Sequence, residues 1–184
     1  MNLDEGLRGR RSIRRYAERD VSDALLREVL DLARHAPSSM DDQPCCFVAI
    51  RAGDSKRRIA AAKNAHSPPD KRAFPADFVS DAPVVVAVCV ERARAHGRVR
   101  ENGVLATAFL LLAAHARGLS GVYLSAYESE NDTLAPQIAA LLGLPDGIQP
   151  VTLVPLGFPA EEPGAKRLRP LDEIVHAEAY GGPR

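Results

Sequence analysis

The strongest constraint on the fold of this chain is Val84–Val90, a run in which every residue is apolar. A strand with one face in water would alternate apolar and polar residues, so this pattern indicates a strand that is covered on both faces. Glu101–Arg117 follows as a helix that is apolar nearly all round, with Gly118 at the position where helices commonly end. Such a helix belongs either in the core or at a subunit interface.

Strand and helix patterns alternate along the rest of the chain. The other predicted strands are Cys45–Ile50, Gly121–Ser125 and Val151–Leu156. The other predicted helices run from the N-cap Ser22 to just before Pro37, from a cap at Asp54 or Ser55 towards His66, and from caps at Asn131 to Thr133 through Leu142, closed by Gly143. This alternation predicts an α/β (α+β) chain with a central sheet and helices on both sides.

Two segments show neither pattern. Ser67–Pro75 holds three prolines and three charged residues, and we interpret it as an exposed connection in preference to a lid. The segment after Pro159 is rich in charge and proline, which indicates an extended tail that does not pack into the core.

Composition limits the class of protein. With 184 residues, 46% of them hydrophobic, the sequence predicts one domain over residues 1–184 with a continuous core. The 24 basic residues balance 24 acidic ones, and a pI near 7.0 disfavours a nucleic-acid-binding module. The apolar run Val104–Ala114 is too short to span a bilayer, and no secretory signal follows the basic N-terminus. The 3 cysteines form no disulfide framework, so we expect a reducing cytoplasm.

Positive charge is concentrated near the N-terminus. Within eight residues the chain carries five arginines, namely Arg8, Arg10, Arg11, Arg14 and Arg15. Guanidinium groups bind phosphate oxygens through paired N–H donors, and Ser12 adds a hydroxyl donor to the same segment. The segment is therefore a candidate site for an anionic group. The alternative is a basic arm exposed to solvent.

A polar loop lies between Pro37 and Pro44, just before a predicted strand. Because proline restricts the backbone, such a loop is suited to holding side chains in place. Cys45 and Cys46 open the strand that follows. Adjacent cysteines at the start of an apolar strand are more often core residues than redox groups, so we expect both to be structural.

Several common sites are absent from the sequence. It contains no G-x-G-x-x-G after a strand, no phosphate loop of the GKS or GKT type and no G-x-S-x-G nucleophile motif. The five histidines are scattered and form no pair at metal-ligand spacing. His35 is expected to interact with a helix dipole and not to act in catalysis.

The remaining motifs resemble those of the FMN-dependent nitroreductase family. They occur in order over nearly the whole chain, as Arg10–Tyr16, Ala36–Pro44, Asp81–Pro83, Leu111–Leu119, Leu142–Pro145, Leu156–Pro159, and Arg169–Leu171 with Val175 and His176. The resemblance implies a nitroreductase-like three-layer sandwich with a central mixed sheet. It also implies an intertwined homodimer, with one FMN at each of two interface sites. The helix Glu101–Arg117 would form the dimer core, and the C-terminal tail would reach onto the partner.

The resemblance further implies roles for individual residues. The phosphate of FMN would be bound by basic and hydroxyl side chains, namely Arg10, Arg11, Ser12, Arg167 and Arg169. Arg14 would lie nearer the ribityl or pyrimidine side of the flavin. The loop that the partner subunit lays against the flavin ring would contribute Pro37, Ser38, Ser39, Asp41 and Gln43. The backbone that passes the flavin N5 and O4 would be that of Leu124, Ser125 and Ala126.

The function that this resemblance implies is FMN-dependent NAD(P)H oxidation. A hydride would pass through flavin N5 to a nitroaromatic, quinone or similar acceptor by a ping-pong mechanism, without a catalytic protein residue or a metal. Asp41 replaces an asparagine of the family, Cys45 a tryptophan, and Ser125 stands where glycine is frequent, which leaves the acceptor open. The choice between NADH and NADPH is also open. Alternatives are an FMN-binding carrier or sensor without turnover and, at the same flavin site, reductive dehalogenation or enoate reduction.

Overall fold

A computed structural model describes residues 2–67, 75–128 and 132–182 of the chain. Its strands are β1 (Cys45–Ile50), β2 (Val84–Glu91), β3 (Ser120–Gly121), β4 (Leu124–Ser125) and β5 (Ile148–Gly157). They form one sheet in the order β1-β2-β5-β3, and β4 also pairs with β5. All four strand pairings are antiparallel, and within the described ranges the parallel part of the predicted mixed sheet is an isolated bridge between Ser12 and Gly121.

Every predicted strand is present, with changes at the ends. The predicted strand Gly121–Ser125 is divided into β3 and β4, each two residues long and each paired with β5. The strand predicted at Val151–Leu156 is longer and spans Ile148–Gly157. Most of the predicted connection Ser67–Pro75, residues 68–74, lies outside the described residues, as does the predicted cap Asn131.

The centre of the fold is β2, which lies between β1 and β5. Residues Val84–Val90 are fully buried, as the continuous apolar run predicts. Alternate side chains point to opposite faces of a strand, so Val84 and Val86 belong to one hydrophobic cluster, and Val85 and Ala87 to another. The sheet therefore has a core on each face.

Helices cover both faces of the sheet. On the first face lie α2 (Asp23–Ala33) and α5 (Val99–Ala116), and on the second face lie α3 (Gly53–Ala65), the short α4 (Phe78–Asp81) and α6 (Leu134–Leu142). A further helix, α1 (Leu3–Gly9), precedes them. This arrangement of three layers is the predicted architecture.

The helix caps agree only in part with those predicted from the sequence. Ser22 caps α2 as predicted, since its Oγ accepts the N–H of Leu25 at 3.2 Å. The predicted caps of α3 are wrong: the helix begins at Gly53, and no side chain within the described part of the chain caps it. Helix α1 was not predicted, although Asn2 and Glu5 form a capping box at its start.

Helix α5 packs closely against β5 on one side and is open on the other. A Cβ added to Gly103 would lie 2.6 Å from the side chain of Val151, so only glycine allows this approach. The opposite face of α5 exposes Val104, Leu105 and Phe109 by 37–41%. In this chain α5 is thus a core helix, one of the two predicted alternatives, and it also presents an exposed apolar surface.

The tail after Pro159 adds little to the core. Apart from a single 3-10 turn at Leu171–Glu173, its described residues have no helix or strand and are almost all exposed. It carries exposed large apolar side chains, namely Leu168, Leu171, Ile174, Val175 and Tyr180. Among the helices of the described residues, none has the length and apolar character needed to cross a bilayer.

Candidate functional site

The basic segment near the N-terminus is part of one edge of the sheet. Ser12 forms a parallel bridge with Gly121, and the N–H of Ile13 donates to the carbonyl oxygen of Gly121 at 3.2 Å. Further along, the N–H of Ala160 donates to the carbonyl oxygen of Arg15 at 3.0 Å. Because its backbone is paired on both sides and Ile13 is buried, the segment is not a free arm in solvent.

Tyr16 fixes the position of this segment against β5. Its hydroxyl lies 2.9 Å from the carbonyl oxygen of Ile13 and 3.2 Å from that of Pro155, and can donate to either. Burial raises the pKa of the Tyr16 phenol, so the group stays protonated and remains a donor. A Cβ added to Gly157 would lie 2.9 Å from the Tyr16 ring, and one added to Gly121 would lie 2.5 Å from the carbonyl oxygen of Pro155. Both glycines therefore allow the close approach of backbone.

The arginines of the segment differ in their surroundings. The Nη1 of Arg11 donates to the carbonyl oxygens of Arg8, Gly9 and Arg10, which lie at the end of α1. A cation is favourable at a helix C-terminus, so this contact orients Arg11 towards α1. Arg10, by contrast, has no ion-pair or hydrogen-bond partner for its guanidinium group in the described part of the chain.

The carboxylate of Glu161 binds the backbone of the basic segment. Its Oε1 accepts the N–H of Arg14 at 2.6 Å and that of Arg15 at 3.2 Å. The first of these hydrogen bonds is the main reason why the pKa of Glu161 lies below its usual value. The Arg14 guanidinium also lies 5.8 Å from the centre of the Phe78 ring. Arg14 is thus held near the sheet edge by contacts on both its backbone and its side chain.

The predicted backbone segment Leu124–Ala126 lies along the same edge. Leu124 and Ser125 pair with Leu153 and Thr152 of β5, and the Nζ of Lys63 donates to the carbonyl oxygen of Ser125 at 2.8 Å. Gly121, the neighbour of Ser12, pairs with Leu156 of the same strand. Leu156 and Thr152 are four positions apart on β5, which corresponds to about 13 Å. The basic segment and Ser125 therefore lie about 13 Å apart along this strand.

The predicted loop between Pro37 and Pro44 is held by α5. The N–H of Ser39 donates to the side-chain oxygen of Asn102 at 2.9 Å, and the N–H of Gln43 donates to the Oγ of Ser38 at 3.0 Å. Positive φ angles occur in this loop at three residues that are not glycine, namely Met40, Asp41 and Gln43. Such angles are rare for L-residues and require support from surrounding contacts.

A small cavity of about 160 Å³ lies beside this loop. Its walls come from the end of α2, the loop, β1 and α5, with the lining residues Ala33, Arg34, Ala36, Pro37, Ser38, Gln43, Cys45 and Ala106. The loop also carries Asp42, whose carboxylate is 2.8 Å from Nε2 of His96. The loop thus has a fixed conformation and a partly apolar hollow next to it.

Within one chain, the loop and the basic segment are far apart. The loop is held by Asn102, and the end of α1 lies against His115, whose Nε2 would be 2.9 Å from a Cβ on Gly9. These two α5 residues are 13 positions apart in the sequence, and at 1.5 Å per residue this is about 20 Å along the helix. Burial and the nearby charges of Arg10 and Arg11 lower the pKa of His115. The basic segment and the loop are therefore two separate groups near opposite ends of α5.

In the described structure, Arg167 and Arg169 contact neither the basic segment nor the loop. Arg169 is exposed, and its Nε lies 3.3 Å from Oε2 of Glu173 in the tail itself. Arg167 is exposed as well. The tail approaches the basic segment at an earlier residue, because the Nε of Arg11 donates to the carbonyl oxygen of Gly164 at 3.4 Å.

The prediction that both adjacent cysteines are core residues is wrong for Cys46. Cys45 is half-buried, with its sulfur 3.5 Å from the backbone oxygen of Asn102, but Cys46 is exposed. The reason is that β1 lies at the edge of the sheet, where one face of the strand is only partly covered. No group of His, Cys, Asp or Glu residues within the described ranges could hold a metal ion.

Three residues that support the site were not singled out from the sequence. Asn102 was detectable, because a buried amide in a nearly apolar helix calls for a specific hydrogen-bond partner. Lys63 and Glu161 gave no local signal, since each contacts a residue more than 60 positions away in the chain.

The sequence model that describes the nitroreductase family matches residues 7–158 of this chain. This range includes the basic segment, the loop and all five strands. The chain belongs to the nitroreductase family. The predicted resemblance is thereby confirmed. The arrangement of a central sheet between two layers of helices is the fold of this family.

Named relatives of the nitroreductase family agree with this assignment. A Methanothermobacter thermautotrophicus protein, provisionally named as an NADH dehydrogenase/NAD(P)H nitroreductase, is 32% identical over 98% of this chain and 88% of its own length. The FMN reductase [NAD(P)H] of Bacillus subtilis is 22% identical over 96% of this chain and 73% of its length. Among solved structures, a Parabacteroides distasonis protein with the same provisional name as the first superimposes with a TM-score of 0.83, covering 97% of this chain and 100% of the other at 23% identity. The last comparison establishes the fold.

Proposed function

We propose that this protein uses FMN to transfer a hydride from NAD(P)H to a small electrophilic acceptor, such as a nitroaromatic compound or a quinone, in a ping-pong cycle. Membership of the nitroreductase family, together with relatives that are named NAD(P)H nitroreductase and FMN reductase, makes the chain an FMN-linked NAD(P)H oxidoreductase. The acceptor and the kinetic mechanism are the parts that we add.

The observation that carries the proposal is the basic segment anchored at the sheet edge. FMN ends in a phosphate monoester with nearly two negative charges at neutral pH, and Arg10 presents a guanidinium group without a partner among the described residues. The exposed hydroxyl of Ser12 lies two residues away. Arg11 adds a nearby positive charge, although its donors contact the end of α1. These groups fit a phosphate, and we assign Arg10, Arg11 and Ser12 to it.

The flavin ring would lie further along β5, beside Leu124, Ser125 and Ala126. Support comes from their pairing with β5 and from the hydrogen bond of Lys63 to Ser125, which hold this backbone rigidly. Arg14, between the two regions, would lie near the ribityl or pyrimidine part. The cofactor supplies the electron-transfer chemistry when bound, and the residues of this chain bind it, orient it and shield it from water. No protein residue is assigned a catalytic step.

We further propose that the complete site forms only in a homodimer. The loop that contains Pro37, Ser38, Ser39, Asp41 and Gln43 lies about 20 Å along α5 from the basic segment of its own chain. A second copy, packed on the exposed apolar face of α5, would bring its loop to the flavin ring. The exposed apolar tail is suited to cover the partner, and in that arrangement it would bring Arg167 and Arg169 to a phosphate.

We also propose the domain organisation and the cellular location from the sequence. We propose that residues 1–184 form one domain, which agrees with a single sheet covered on both faces. We also propose a cytoplasmic location, because the 3 cysteines of the chain are free and form no disulfide framework.

The visible spectrum of the purified protein, followed by steady-state kinetics, tests the function. We expect flavin absorption bands and consumption of NADH or NADPH with nitrofurazone or menadione as acceptor. Bound flavin without turnover would favour a carrier or sensor. A protein that stays colourless after addition of FMN would contradict the proposal.

A further inference from the structure

Cys46 and Cys89 are directly opposite each other in the antiparallel pair formed by β1 and β2. Side chains of directly opposite residues project to the same face of a sheet, so the two thiols are neighbours. Cys45 is next to Cys46 in the sequence, but successive side chains of a strand point to opposite faces. The sulfur of Cys45 accordingly contacts Asn102 of α5 on the other side. The register therefore pairs Cys46 with Cys89 and leaves Cys45 out.

The two paired thiols differ in access to solvent. Cys46 is exposed, whereas Cys89 is fully buried in the core cluster on the second face of the sheet. Within the described ranges β1 has only β2 as a neighbouring strand. A dissolved reagent can therefore reach Cys46, whereas the buried Cys89 is closed to it.

The distance between the strands suits a disulfide. Opposite Cα atoms in an antiparallel pair are about 4.5–5.5 Å apart, and disulfides join Cα atoms about 4.4–6.8 Å apart. Since β1 is paired on one side only, it can move slightly towards β2 when a bond forms. The backbone of β1 and β2 thus does not need to rearrange.

The three cysteines also differ in the direction of their pKa shifts. Hydrogen bonding with the neighbouring Cys89 thiol lowers the pKa of Cys46, against opposing effects of burial and of the Glu91 charge. That hydrogen bond, together with burial, raises the pKa of Cys89, and burial raises the pKa of Cys45 to about 11. The thiolate is the nucleophile in thiol–disulfide exchange, so Cys46, which is exposed and has a lowered pKa, is the attacking cysteine.

We propose that Cys46 and Cys89 form a reversible oxidation site that reacts with low-molecular-weight disulfides. The Cys46 thiolate attacks one sulfur of the disulfide, forms a mixed disulfide and releases one thiolate. Cys89 then loses its proton and attacks the Cys46 sulfur, which releases the second thiolate and closes the Cys46–Cys89 bond. Overall, two protein thiols are oxidised, one small disulfide is reduced to two thiols, and the protons pass to the released thiolates.

Reaction of the full-length reduced protein with oxidised glutathione, followed by non-reducing peptide mapping, tests the site. We expect the wild-type chain to lose two thiols, to yield a linked Cys46–Cys89 peptide without retained glutathione, and to recover both thiols with dithiothreitol. The matched control Cys45→Ser should behave in the same way. Cys89→Ala should stop at a stable glutathione adduct on Cys46, and Cys46→Ser should form neither product.

The wild-type map alone can overturn the proposal, so it does not depend on the folding of a variant. A glutathione adduct that persists on Cys46 would contradict the resolving role of Cys89. A disulfide that includes Cys45, or one that links two chains, would contradict the pairing. Equal rates of modification at Cys45 and Cys46 would contradict the assignment of Cys46 as the attacking group.

Discussion

Asn102 and His115 lie on the same helix, α5, about 20 Å apart, and each contacts one of the two groups of candidate site residues. Asn102 binds the backbone of the loop through Ser39, and His115 lies against Gly9, next to the basic segment. The helix that forms the core on one face of the sheet thus also separates the two groups. In the proposed homodimer, the two groups that contact one flavin come from different chains.

The first prediction concerns the phosphate of FMN. Arg10→Ala should raise the Kd for FMN about 10- to 100-fold, because a charge-assisted hydrogen bond contributes about 1.5–3 kcal/mol. Riboflavin lacks the phosphate, so its weaker binding should not change. Fluorescence titration of both ligands measures the effect. Arg58→Ala, at an exposed position of α3, is the control and should leave both affinities unaltered. Equal losses for FMN and riboflavin would show that Arg10 does not bind the phosphate.

The second prediction concerns the bridge between Ser12 and Gly121. Gly121→Ala places a Cβ 2.5 Å from the carbonyl oxygen of Pro155, which belongs to rigid strand backbone. We expect a loss of about 1–3 kcal/mol in the free energy of unfolding and weaker FMN binding, because the basic segment is displaced. Urea denaturation measures the first effect. In the control Gly164→Ala the new Cβ meets no atom within 4 Å, and a similar loss there would contradict the steric explanation.

The third prediction concerns the partly buried hydroxyl of Tyr16. Tyr16→Phe removes the donor near the carbonyl oxygens of Ile13 and Pro155 and should lower the free energy of unfolding by about 1–3 kcal/mol. Burial raises the folded-state pKa of Tyr16 above the usual 10.0, so its neutral form is favoured by folding. This contribution is complete below about pH 10 and decreases as the pH rises further, because the unfolded chain ionises first.

Denaturation of the wild type and of Tyr16→Phe at several pH values checks both parts. The difference in unfolding free energy should be constant at neutral pH and should shrink above about pH 10. Tyr180→Phe is the control, since Tyr180 is 93% exposed. A difference that grows with pH would have the wrong sign.

The fourth prediction concerns the support of the loop by Asn102. Asn102→Ala removes the acceptor of the Ser39 N–H and should make hydrogen exchange at that amide faster. We also expect a loss of about 1–3 kcal/mol in the free energy of unfolding, since the partly buried N–H of Ser39 and the buried carbonyl oxygen of Ala95 each lose a partner. Hydrogen-exchange mass spectrometry over residues 37–44 measures the local effect. The exposed neighbour Glu101 gives the control Glu101→Gln, and unchanged exchange in Asn102→Ala would mean that the loop is held elsewhere.

The sequence was sufficient for the architecture because the decisive signals are local. The continuous apolar run of β2 reflects burial on two sides and was correctly predicted. Helix α5 was also correctly predicted, although one of its apolar faces is exposed in this chain. The family motifs located the basic segment and the loop in the chain. Helix α1 was missed even though Asn2 and Glu5 carry a local capping signal.

What the sequence did not predict depends on contacts between distant residues. Lys63 supports Ser125 from 62 positions away, and Glu161 supports Arg14 from 147 positions away. The exposure of Cys46 follows from the position of β1 at the sheet edge, and nothing in six consecutive residues specifies that position. Such features require the order of the strands, which the local pattern leaves open.

The fifth prediction tests directly whether each flavin site is built from two chains. One chain carries Arg10→Ala with Ser12→Ala, the other carries Ser38→Ala with Gln43→Ala, and the two are co-expressed with different tags so that mixed dimers can be purified. Each altered homodimer should bind FMN poorly. The mixed dimer should regain one tight site, because one of its two interfaces combines an intact basic segment with an intact loop.

The number of FMN molecules bound tightly per mixed dimer is the deciding measurement. A site built from two chains predicts one tightly bound FMN per mixed dimer. If the basic segment and the loop of the same chain formed the site, each chain of the mixed dimer would carry one defect. No tight binding by the mixed dimer, or a protein that binds FMN tightly as a monomer, would contradict the account.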